Sequence, residues 1–532
     1  MGEPGTPPRT LRVDESIRAP PPCLTSGRAG PRRPIIGGGE RHLNLAELLT
    51  DAALAHGDRP ALIHAGSRLD YAGLEALSAR FARLLAERGV RAGDRVAIWL
   101  PNEPAFVAAY YGALRAGAIA VPLNPLLRSG EVAERLGDAG AALVVAPPAR
   151  FGELEGEGAE PVDPAGAGDV PPLDEVAPRR PADPAVLLYT SGTSGRAKGA
   201  ELTHAGLRAN ALFLGAHVLG LDETDVVLGS TPLSHVLGQS GVMNAAIARG
   251  ACVALMPRFD AAASLELMRS EGANVFLGVP TMCKALLQAA EESNAVPSLR
   301  VAHVGGAPMP PDALAAFGAR FGCPVLEGYG MTEVGTAASH RLGGVVKPGS
   351  VGPAADGVEL RIAGPSGGDV PAGEAGEVLI RSRWLMRGYW RNPEATRDAI
   401  DEDGWLATGD VGRLDEDGFL FLVDRKKDVI LRGGYSVYPR EIEDVLGSHP
   451  AVQEAAVVGV PHDELGEEVV AVVVARAGEG CDPEEVREYA RARVAAYKYP
   501  RLVVVAEELP RGPTGKLLRR EIDREGLASL LR

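Results

Sequence analysis

The alternation of short apolar runs with longer amphipathic runs is the feature that most restricts how this chain can fold. The alternation begins at about Leu43, and Val96–Leu100 is a strand-like run that Pro101 ends. Glu103–Ala116 has the spacing of a helix, and Ala118–Val121 predicts the next strand. Strands and helices in alternation indicate βαβ units and a mainly parallel sheet, with functional loops at the carboxyl ends of the strands.

The same pattern continues over the next two hundred residues. Further strands are predicted at Ala142–Ala146, Val186–Tyr189, Val226–Leu228, Cys252–Leu255, Val275–Leu277, Val301–Val304 and Val325–Leu326. Helices between them are predicted at Gly238–Ala248, Ala261–Ser270, Met282–Glu292 and Pro311–Phe321.

Three changes in residue composition and hydrophobic pattern divide the chain. Residues 1–40 are rich in Pro, Gly and Arg and predict a disordered N-terminal extension, and the acidic, aperiodic stretch Pro147–Asp183 predicts a surface excursion. After about Gly352, glycine-spaced short strands indicate a smaller β-rich subdomain. We therefore expect an α/β protein with a large N-terminal domain at 41–425 and a small α+β C-terminal domain at 426–532.

Composition excludes several classes of protein. The net charge of -15 and the 5% of aromatic residues argue against nucleic acid or an anionic membrane as a partner. The five cysteines form no C-x-x-C pair, which disfavours a disulfide framework or a zinc site and fits a reducing cytoplasm. No apolar run approaches the ~20 residues of a membrane span, and the N-terminal stretch lacks the apolar core of a secretory signal.

The strongest local signal is the run YTSGTSGRAKG, which follows a predicted buried strand. Glycines allow backbone N–H groups to turn inward, hydroxyls add donors, and a lysine supplies positive charge, so the run predicts a phosphate-binding loop. It lacks the G-K-[ST] ending of a Walker loop. The alternative is a flexible Ser/Gly connector, but the position after a strand and the presence of one of only seven lysines favour phosphate binding. The candidate residues are Thr190, Ser191, Gly192, Thr193, Ser194, Gly195 and Lys198.

Seven motifs in order resemble those of adenylate-forming enzymes, which include acyl-CoA synthetases, peptide-synthetase adenylation domains and firefly luciferases. After the phosphate loop they are Pro232–His235, Gly305–Pro308, Gly328–Glu333, Thr408–Asp410, Asp424–Asp428 and Pro513–Lys516. The resemblance extends from about Leu43 to Leu518. It implies a two-step reaction: a carboxylate attacks the α-phosphate of ATP, and a thiol then attacks the acyl-adenylate.

The resemblance implies a role for each nucleotide-binding motif. The phosphate loop holds the β- and γ-phosphates, and Glu333 with Thr190 holds Mg²⁺, a hard ion that prefers oxygen ligands. Asp410 and Arg425 bind the ribose. Two backbone segments enclose adenine, with Tyr329 stacked on the base; their residues are Gly305, Gly306, Ala307 and Pro308 on one side and Gly328, Tyr329, Gly330, Met331 and Thr332 on the other. Without the resemblance, Glu333 and Asp410 would be read as loop and turn residues.

The C-terminal motifs imply a moving domain. By resemblance, Lys516 bridges the carboxylate and the α-phosphate during adenylation, and Lys427 is the hinge residue. Rotation at the hinge brings Gly433, Gly434 and Tyr435 towards the channel for coenzyme A. As plain sequence, Lys516 would be a solvated terminal lysine and Lys427 an exposed one.

The resemblance also implies a pocket for the carboxylic acid, and its predicted residues are His235, Gly238 and Gly330. We interpret His235 as a pocket residue and not as a general base, because a carboxylic acid is already ionised at pH 7. A core histidine is the alternative. Two departures from the family pattern stand out: Ala197 replaces the usual proline, and Ser234 replaces a frequent aromatic residue.

The expected function is an acyl-CoA synthetase that uses ATP, Mg²⁺ and coenzyme A. Ala120–Arg128 and Leu237–Gln239 resemble the fatty-acid branch, so a medium- or long-chain fatty acid is the expected substrate. The alternatives are an aryl- or phenylpropenoyl-CoA ligase, an adenylation enzyme that loads a carrier protein, and a nucleotide-binding protein without catalysis. A cytoplasmic location and a homodimer are family-level expectations.

Overall fold

Four β-sheets organise the part of the chain that the structure describes. In the computed structural model, the described residues are 42–190, 197–293, 296–433, 435–462, 464–478, 480–512 and 517–531. The predicted extension at 1–40 lies outside them.

The first sheet has six strands and carries the start of the phosphate motif. Its neighbours are parallel except for the last pair, which is an antiparallel hairpin. In spatial order the strands are Glu160–Val162, Leu143–Val145, Arg95–Ile98, Ile119–Pro122, Pro184–Thr190 and Lys198–Thr203.

The second sheet has eight strands, with a parallel centre and an antiparallel strand at each edge. In spatial order the strands are Gly335–Ser339, Val325–Met331, Val301–Val304, Val275–Gly278, Val226–Gly229, Cys252–Leu255, Pro60–His64 and Ser67–Asp70. Its central strands Cys252–Leu255 and Val275–Gly278 are buried along their whole length and have no charged or amide side chain, as expected where helices cover both faces of a parallel sheet.

The two remaining sheets are smaller. An antiparallel sheet contains Val358–Ala363, Gly376–Ser382, Leu406–Leu414 and Leu420–Arg425. The C-terminal sheet contains Tyr435–Val437, Ile430–Arg432, Gly466–Ala475 and Val452–His462, with Leu502–Ala506 added in parallel to Gly466–Ala475. Successive side chains of a strand face opposite sides, and here both sides are packed: Val457 lies in one apolar cluster, Ala456 and Val458 in another.

Helices cover the sheets. The α-helices are Glu47–His56, Tyr71–Glu87, Pro104–Arg115, Ser129–Ala139, His204–Phe213, Ala245–Ala248, Ala261–Glu271, Pro280–Glu291, Pro311–Phe321, Pro393–Ala399, Pro439–Gly447, Pro483–Arg491 and Arg524–Leu531. Two π-helical segments are Leu214–Val218 and Leu237–Asn244. Short 3₁₀ helices are Pro148–Leu154, Pro164–Asp169, Lys426–Asp428 and Arg519–Glu521.

The expected α/β architecture with a large N-terminal and a small C-terminal part is confirmed. The predicted strands Cys252–Leu255 and Val301–Val304 have the predicted ends. Three predictions are corrected. The stretch Pro147–Asp183 is more than a surface excursion, because it contains a strand and buries Leu154, Val162 and Ala167.

The other two corrections concern segments near the site. The predicted helix Gly238–Ala248 is π-helical up to Asn244 and α-helical only from Ala245. Gly238 packs directly against the backbone, and a Cβ at this position would overlap the carbonyl of Pro232. The end of the phosphate motif is a strand, Lys198–Thr203, because it pairs with Pro184–Thr190 along its whole length. Pairing of this kind overrides the weak strand propensity of Lys and Gly.

Candidate active site

A hairpin places Thr190 and Lys198 opposite each other. The two residues are cross-strand partners, and the Thr190 hydroxyl donates to the carbonyl of Lys198 at 3.5 Å. Both strands are anchored in the buried sheet, so the hairpin presents the ends of the predicted phosphate loop at its tip. Residues 191–196, which include the predicted Ser191, Gly192, Thr193, Ser194 and Gly195, lie outside the described residues.

One tyrosine, Tyr389, contacts both Lys198 and Glu333. The Tyr389 hydroxyl donates to Glu333 Oε1 at 2.8 Å, and Lys198 Nζ lies 5.1 Å from the centre of the Tyr389 ring. Glu333 is 6% exposed, so the reading of this residue as a solvated loop carboxylate does not hold. A cation suited to phosphate and a buried carboxylate therefore share one site.

This site suits Mg²⁺ bound together with phosphates. A magnesium ion in such sites takes one or two protein carboxylates and fills its other positions with water and phosphate oxygens. Among the described residues, no group of three or more His, Cys, Asp or Glu side chains is placed to hold a metal ion. Glu333 offers the kind of hard oxygen that such a shared site needs, and the group that donates to this carboxylate is the neutral hydroxyl of Tyr389.

A second polar cluster contains Tyr329, Asp410 and Arg425. Tyr329 donates its hydroxyl to Asp410 Oδ2 at 2.6 Å, and Arg425 Nε lies 3.2 Å from Asp410 Oδ1. Asp410 and Arg425 are cross-strand partners in the small antiparallel sheet, which brings the two motifs together. Tyr329 is 8% exposed, and burial together with Asp410 raises its pKa well above the usual value. Its hydroxyl thus remains a donor that orients the carboxylate.

The two predicted adenine walls lie against each other. Gly305 and Gly306 follow the strand Val301–Val304, and Gly306 has a φ of 76° that favours glycine. A Cβ on Gly305 would lie 3.2 Å from the carbonyl oxygen of Gly328, and a Cβ on Gly328 would lie 2.5 Å from Nε2 of the buried His303. Glycine at these positions permits the close approach of the two backbones. Ala307 and Pro308 follow as exposed residues.

Gly330 has no room for a side chain, because a Cβ there would overlap the carbonyl of Gly335 on the paired strand. We expect Gly330→Ala to lower the free energy of unfolding by about 1–3 kcal/mol, since overpacked positions cost this much. Gly137→Ala is the matched control: it lies inside a helix with nothing within 4 Å of its Cβ, and should raise stability by about 0.5–1 kcal/mol. Urea denaturation of both variants measures the difference, and the same sign for both would contradict the steric account.

His235 lies at the surface and not in the core. Its Nδ1 accepts a hydrogen bond from the backbone N–H of Leu237 at 3.3 Å, at the start of the π-helix that contains Gly238. The alternative of a core histidine is therefore excluded by its exposure. Met331 and Thr332 are partly buried in the turn that leads to Glu333.

The predicted hinge connects the small sheet to the C-terminal part. Lys427 is exposed in the short helix Lys426–Asp428, and Lys426 Nζ pairs with Glu377 at 2.7 Å. Beyond it, Gly433 has a φ of 56° and Tyr435 is 58% exposed, stacked on Tyr497. Gly434 and Lys516 lie outside the described residues.

Tyr389 is the site residue that the sequence reasoning did not identify. It lies 56 residues from Glu333 in sequence and outside the seven motifs described above. Only the three-dimensional contact brings it to the site.

Comparisons with known proteins agree along most of the chain. The family model described as AMP-binding enzyme matches residues 49–390, and the AMP-binding enzyme C-terminal domain matches residues 441–516. A feruloyl-CoA synthase from Amycolatopsis is 38% identical over 87% of this chain and 95% of its own. A long-chain-fatty-acid–CoA ligase from Bacillus subtilis is 34% identical over 90% of this chain and 94% of its own.

A solved structure shares the fold at similar identity. ATP-bound MatB from Rhodopseudomonas palustris is 33% identical, with a TM-score of 0.85 over 92% of this chain and 100% of its own. No helix in the described ranges is both long and apolar enough to cross a membrane. The family models, the curated relatives and the fold lead to one conclusion: the chain belongs to the AMP-binding enzyme family, and it is an AMP-forming acid–thiol ligase that uses ATP, Mg²⁺ and coenzyme A.

Proposed function

We propose that this chain is an acyl-CoA synthetase for medium- or long-chain fatty acids, with its nucleotide site at the two clusters described above. The observation that carries the proposed site is that Tyr389 contacts both Lys198 and the buried Glu333. A cation and a metal-binding carboxylate in one place are what the triphosphate of ATP requires. The domain boundary that accompanies this proposal lies between residues 425 and 426.

In the proposed site, each cluster binds one part of ATP. The residues from Thr190 to Lys198 hold the β- and γ-phosphates, and Glu333 with Thr190 holds Mg²⁺, which neutralises phosphate charge. Asp410 accepts hydrogen bonds from the ribose hydroxyls, since its two carboxylate oxygens suit two neighbouring donors. Arg425 at 3.2 Å keeps that carboxylate in place.

The first half-reaction joins two anions, so its main barrier is electrostatic. The substrate carboxylate attacks the α-phosphorus, the bond to the bridging oxygen of pyrophosphate breaks, and pyrophosphate leaves. We propose that Lys516 places its ammonium between the carboxylate and the α-phosphate, where charge develops. No base is needed, because the acid is already ionised.

The second half-reaction requires a different arrangement. The thiol of coenzyme A attacks the acyl carbon, the thiol proton is lost, and AMP leaves. We propose that rotation at Lys427 removes Lys516 and brings Gly433, Gly434 and Tyr435 to the thiol channel. Tyr435 is exposed, so its ring is accessible for contact with coenzyme A. Gly433 has a positive φ, which allows the backbone to turn sharply just before Tyr435.

The acid is proposed to bind beside Gly330, Gly238 and His235. The π-helix that begins at Leu237 is mostly buried, and it carries both apolar residues and the buried polar side chains of Gln239, Ser240 and Asn244. A Cβ on Gly241 would lie 2.8 Å from the Leu277 side chain. The resemblance of the Leu237–Gln239 segment to the fatty-acid branch supports an apolar tail. An aryl or phenylpropenoyl acid is the second candidate, because the feruloyl-CoA synthase from Amycolatopsis is 38% identical.

A panel of acids tests the proposed substrate. Saturated fatty acids of increasing length, ferulate and benzoate are each incubated with ATP, Mg²⁺ and coenzyme A, and thioesters are measured by mass spectrometry. The proposal expects kcat/KM to be highest for a medium- or long-chain fatty acid. A higher value for ferulate would establish the aryl alternative. Acyl-AMP without any CoA thioester would indicate a carrier protein, and ATP binding without turnover would indicate a binding protein.

A further inference from the structure

Tyr389 occupies the position between the two charged groups of the phosphate site. Its hydroxyl donates to Glu333 Oε1 at 2.8 Å, and its ring carries Lys198 Nζ at 5.1 Å from the centre. Glu333 is 6% exposed, so this hydroxyl is a donor to a carboxylate that has little contact with water. Without a donor, a buried carboxylate oxygen would have lost its hydrogen bonds to water at a considerable cost.

The backbone around Tyr389 is fixed to the same hairpin that carries Lys198. Tyr389 forms a bridge with Ala200, and the N–H of Trp390 donates to the carbonyl of Gly199 at 2.7 Å. The backbone N–H of Tyr389 donates to the hydroxyl oxygen of Thr396 at 2.9 Å. The backbone of Tyr389 is therefore fixed beside the strand that begins at Lys198.

Glu333 is tied to the same segment from its own side. The carbonyl oxygen of Glu333 accepts the N–H of Met386 at 2.6 Å, so the backbone of the carboxylate residue and the Tyr389 segment are joined.

We propose that Tyr389 is a positioning residue for magnesium-bound ATP: its hydroxyl orients the Glu333 carboxylate towards the metal, and its ring orients Lys198 towards the phosphates. The hydroxyl engages Oε1, which directs the other carboxylate oxygen to the metal. Outer-shell donors of this kind hold a metal ligand in one orientation before the metal arrives. This inference rests on the proposed role of Glu333 as the magnesium ligand.

Two substitutions separate the hydroxyl from the ring. Tyr389→Phe removes the donor to Glu333 and keeps the ring under Lys198, whereas Tyr389→Leu removes both. The affinity for ATP is measured by calorimetry, once with Mg²⁺ and once with EDTA in its place. We expect Tyr389→Phe to weaken binding of magnesium-bound ATP by about 10-fold, the effect of losing an outer-shell partner, with metal-free ATP bound as in the wild type. Tyr389→Leu should weaken binding of both forms.

Tyr71→Phe is the matched control. Its hydroxyl is also buried and donates to the carbonyl of Ala251 at 2.7 Å, away from the phosphate site. Tyr71→Phe should lower the melting temperature and leave the ratio of the two ATP affinities unchanged. If Tyr389→Phe behaves like Tyr71→Phe, or weakens both forms of ATP equally, the inference is wrong.

Glu333→Gln distinguishes this inference from the function on which it rests. If Glu333→Gln still binds ATP more tightly with Mg²⁺ than with EDTA, as the wild type does, the proposed metal role of Glu333 fails. If Glu333→Gln loses that preference while Tyr389→Phe keeps it, the metal site stands and the positioning role of Tyr389 is overturned. Loss of the preference in both variants supports the inference.

Discussion

Lys516→Ala is expected to slow adenylation by about 10²–10³-fold, the effect of removing one donor that stabilises charge in the transition state. Thiolation from supplied acyl-AMP should change much less, because the ammonium is proposed to act only while the carboxylate attacks the phosphate. The motif around Lys516 is flanked by an isolated bridge between Arg511 and Leu517. Just beyond it, Arg519 pairs with Glu443 in the helix Pro439–Gly447 and with Asp428, the residue after the proposed hinge residue Lys427.

The measurement uses the two half-reactions separately. Adenylation is followed by acid-dependent exchange of pyrophosphate into ATP, and thiolation by the conversion of synthetic acyl-AMP and coenzyme A into thioester. Lys284→Ala, at an exposed position on the helix Pro280–Glu291, is the control and should leave both rates unchanged. An equal loss in both half-reactions for Lys516→Ala would contradict the proposed role.

Asp410→Ala is expected to lower kcat/KM for ATP by about 10²–10³-fold. The substitution removes the proposed acceptor of two ribose hydroxyls, and hydrogen bonds to charged groups contribute about 1.5–3 kcal/mol each. It also leaves the buried Tyr329 hydroxyl and the Arg425 guanidinium without their shared partner. Asp410→Asn retains one acceptor oxygen and should show a smaller loss.

Nucleotide analogues test whether the loss of kcat/KM in Asp410→Ala comes from lost hydrogen bonds to the ribose hydroxyls. ATP and its 2′,3′-dideoxy analogue are compared in the wild type and in Asp410→Ala by acid-dependent pyrophosphate release. The wild type should discriminate strongly against the dideoxy analogue, because a site built to bind hydroxyls has unpaired polar groups without them. Asp410→Ala should lose most of this discrimination. A variant that is slower yet discriminates as strongly as the wild type would place the ribose elsewhere.

The fold could be predicted from the sequence wherever local pattern and burial agree. Cys252–Leu255 and Val301–Val304 are buried strands among the parallel strands of one sheet, and apart from His303 all their residues are apolar; the sequence predicts both ends of each strand. The strand Lys198–Thr203 was not predicted, because its polar and glycine residues gain strand structure only by pairing with Pro184–Thr190.

The motifs predict which residues form the site, but they do not predict the contacts among them. The contact between Tyr329 and Asp410 joins residues 81 positions apart, and the contact between Tyr389 and Glu333 joins residues 56 positions apart. A local pattern carries no information about which distant side chain will contact another. Glu333, Asp410 and Tyr329 lie in predicted motifs, whereas Tyr389 and the hydrogen bond from Tyr329 to Asp410 are seen only in the structure.

We expect this chain to activate a carboxylic acid through an acyl-adenylate and to transfer the acyl group to coenzyme A. The most direct measurement is the product balance of one reaction with ATP, Mg²⁺, the best acid of the panel and coenzyme A, resolved by chromatography and mass spectrometry. AMP, pyrophosphate and acyl-CoA should form in equal amounts, and acyl-AMP should form when coenzyme A is omitted. ADP and inorganic phosphate in place of AMP and pyrophosphate, or ATP consumption that does not depend on the acid, would contradict it.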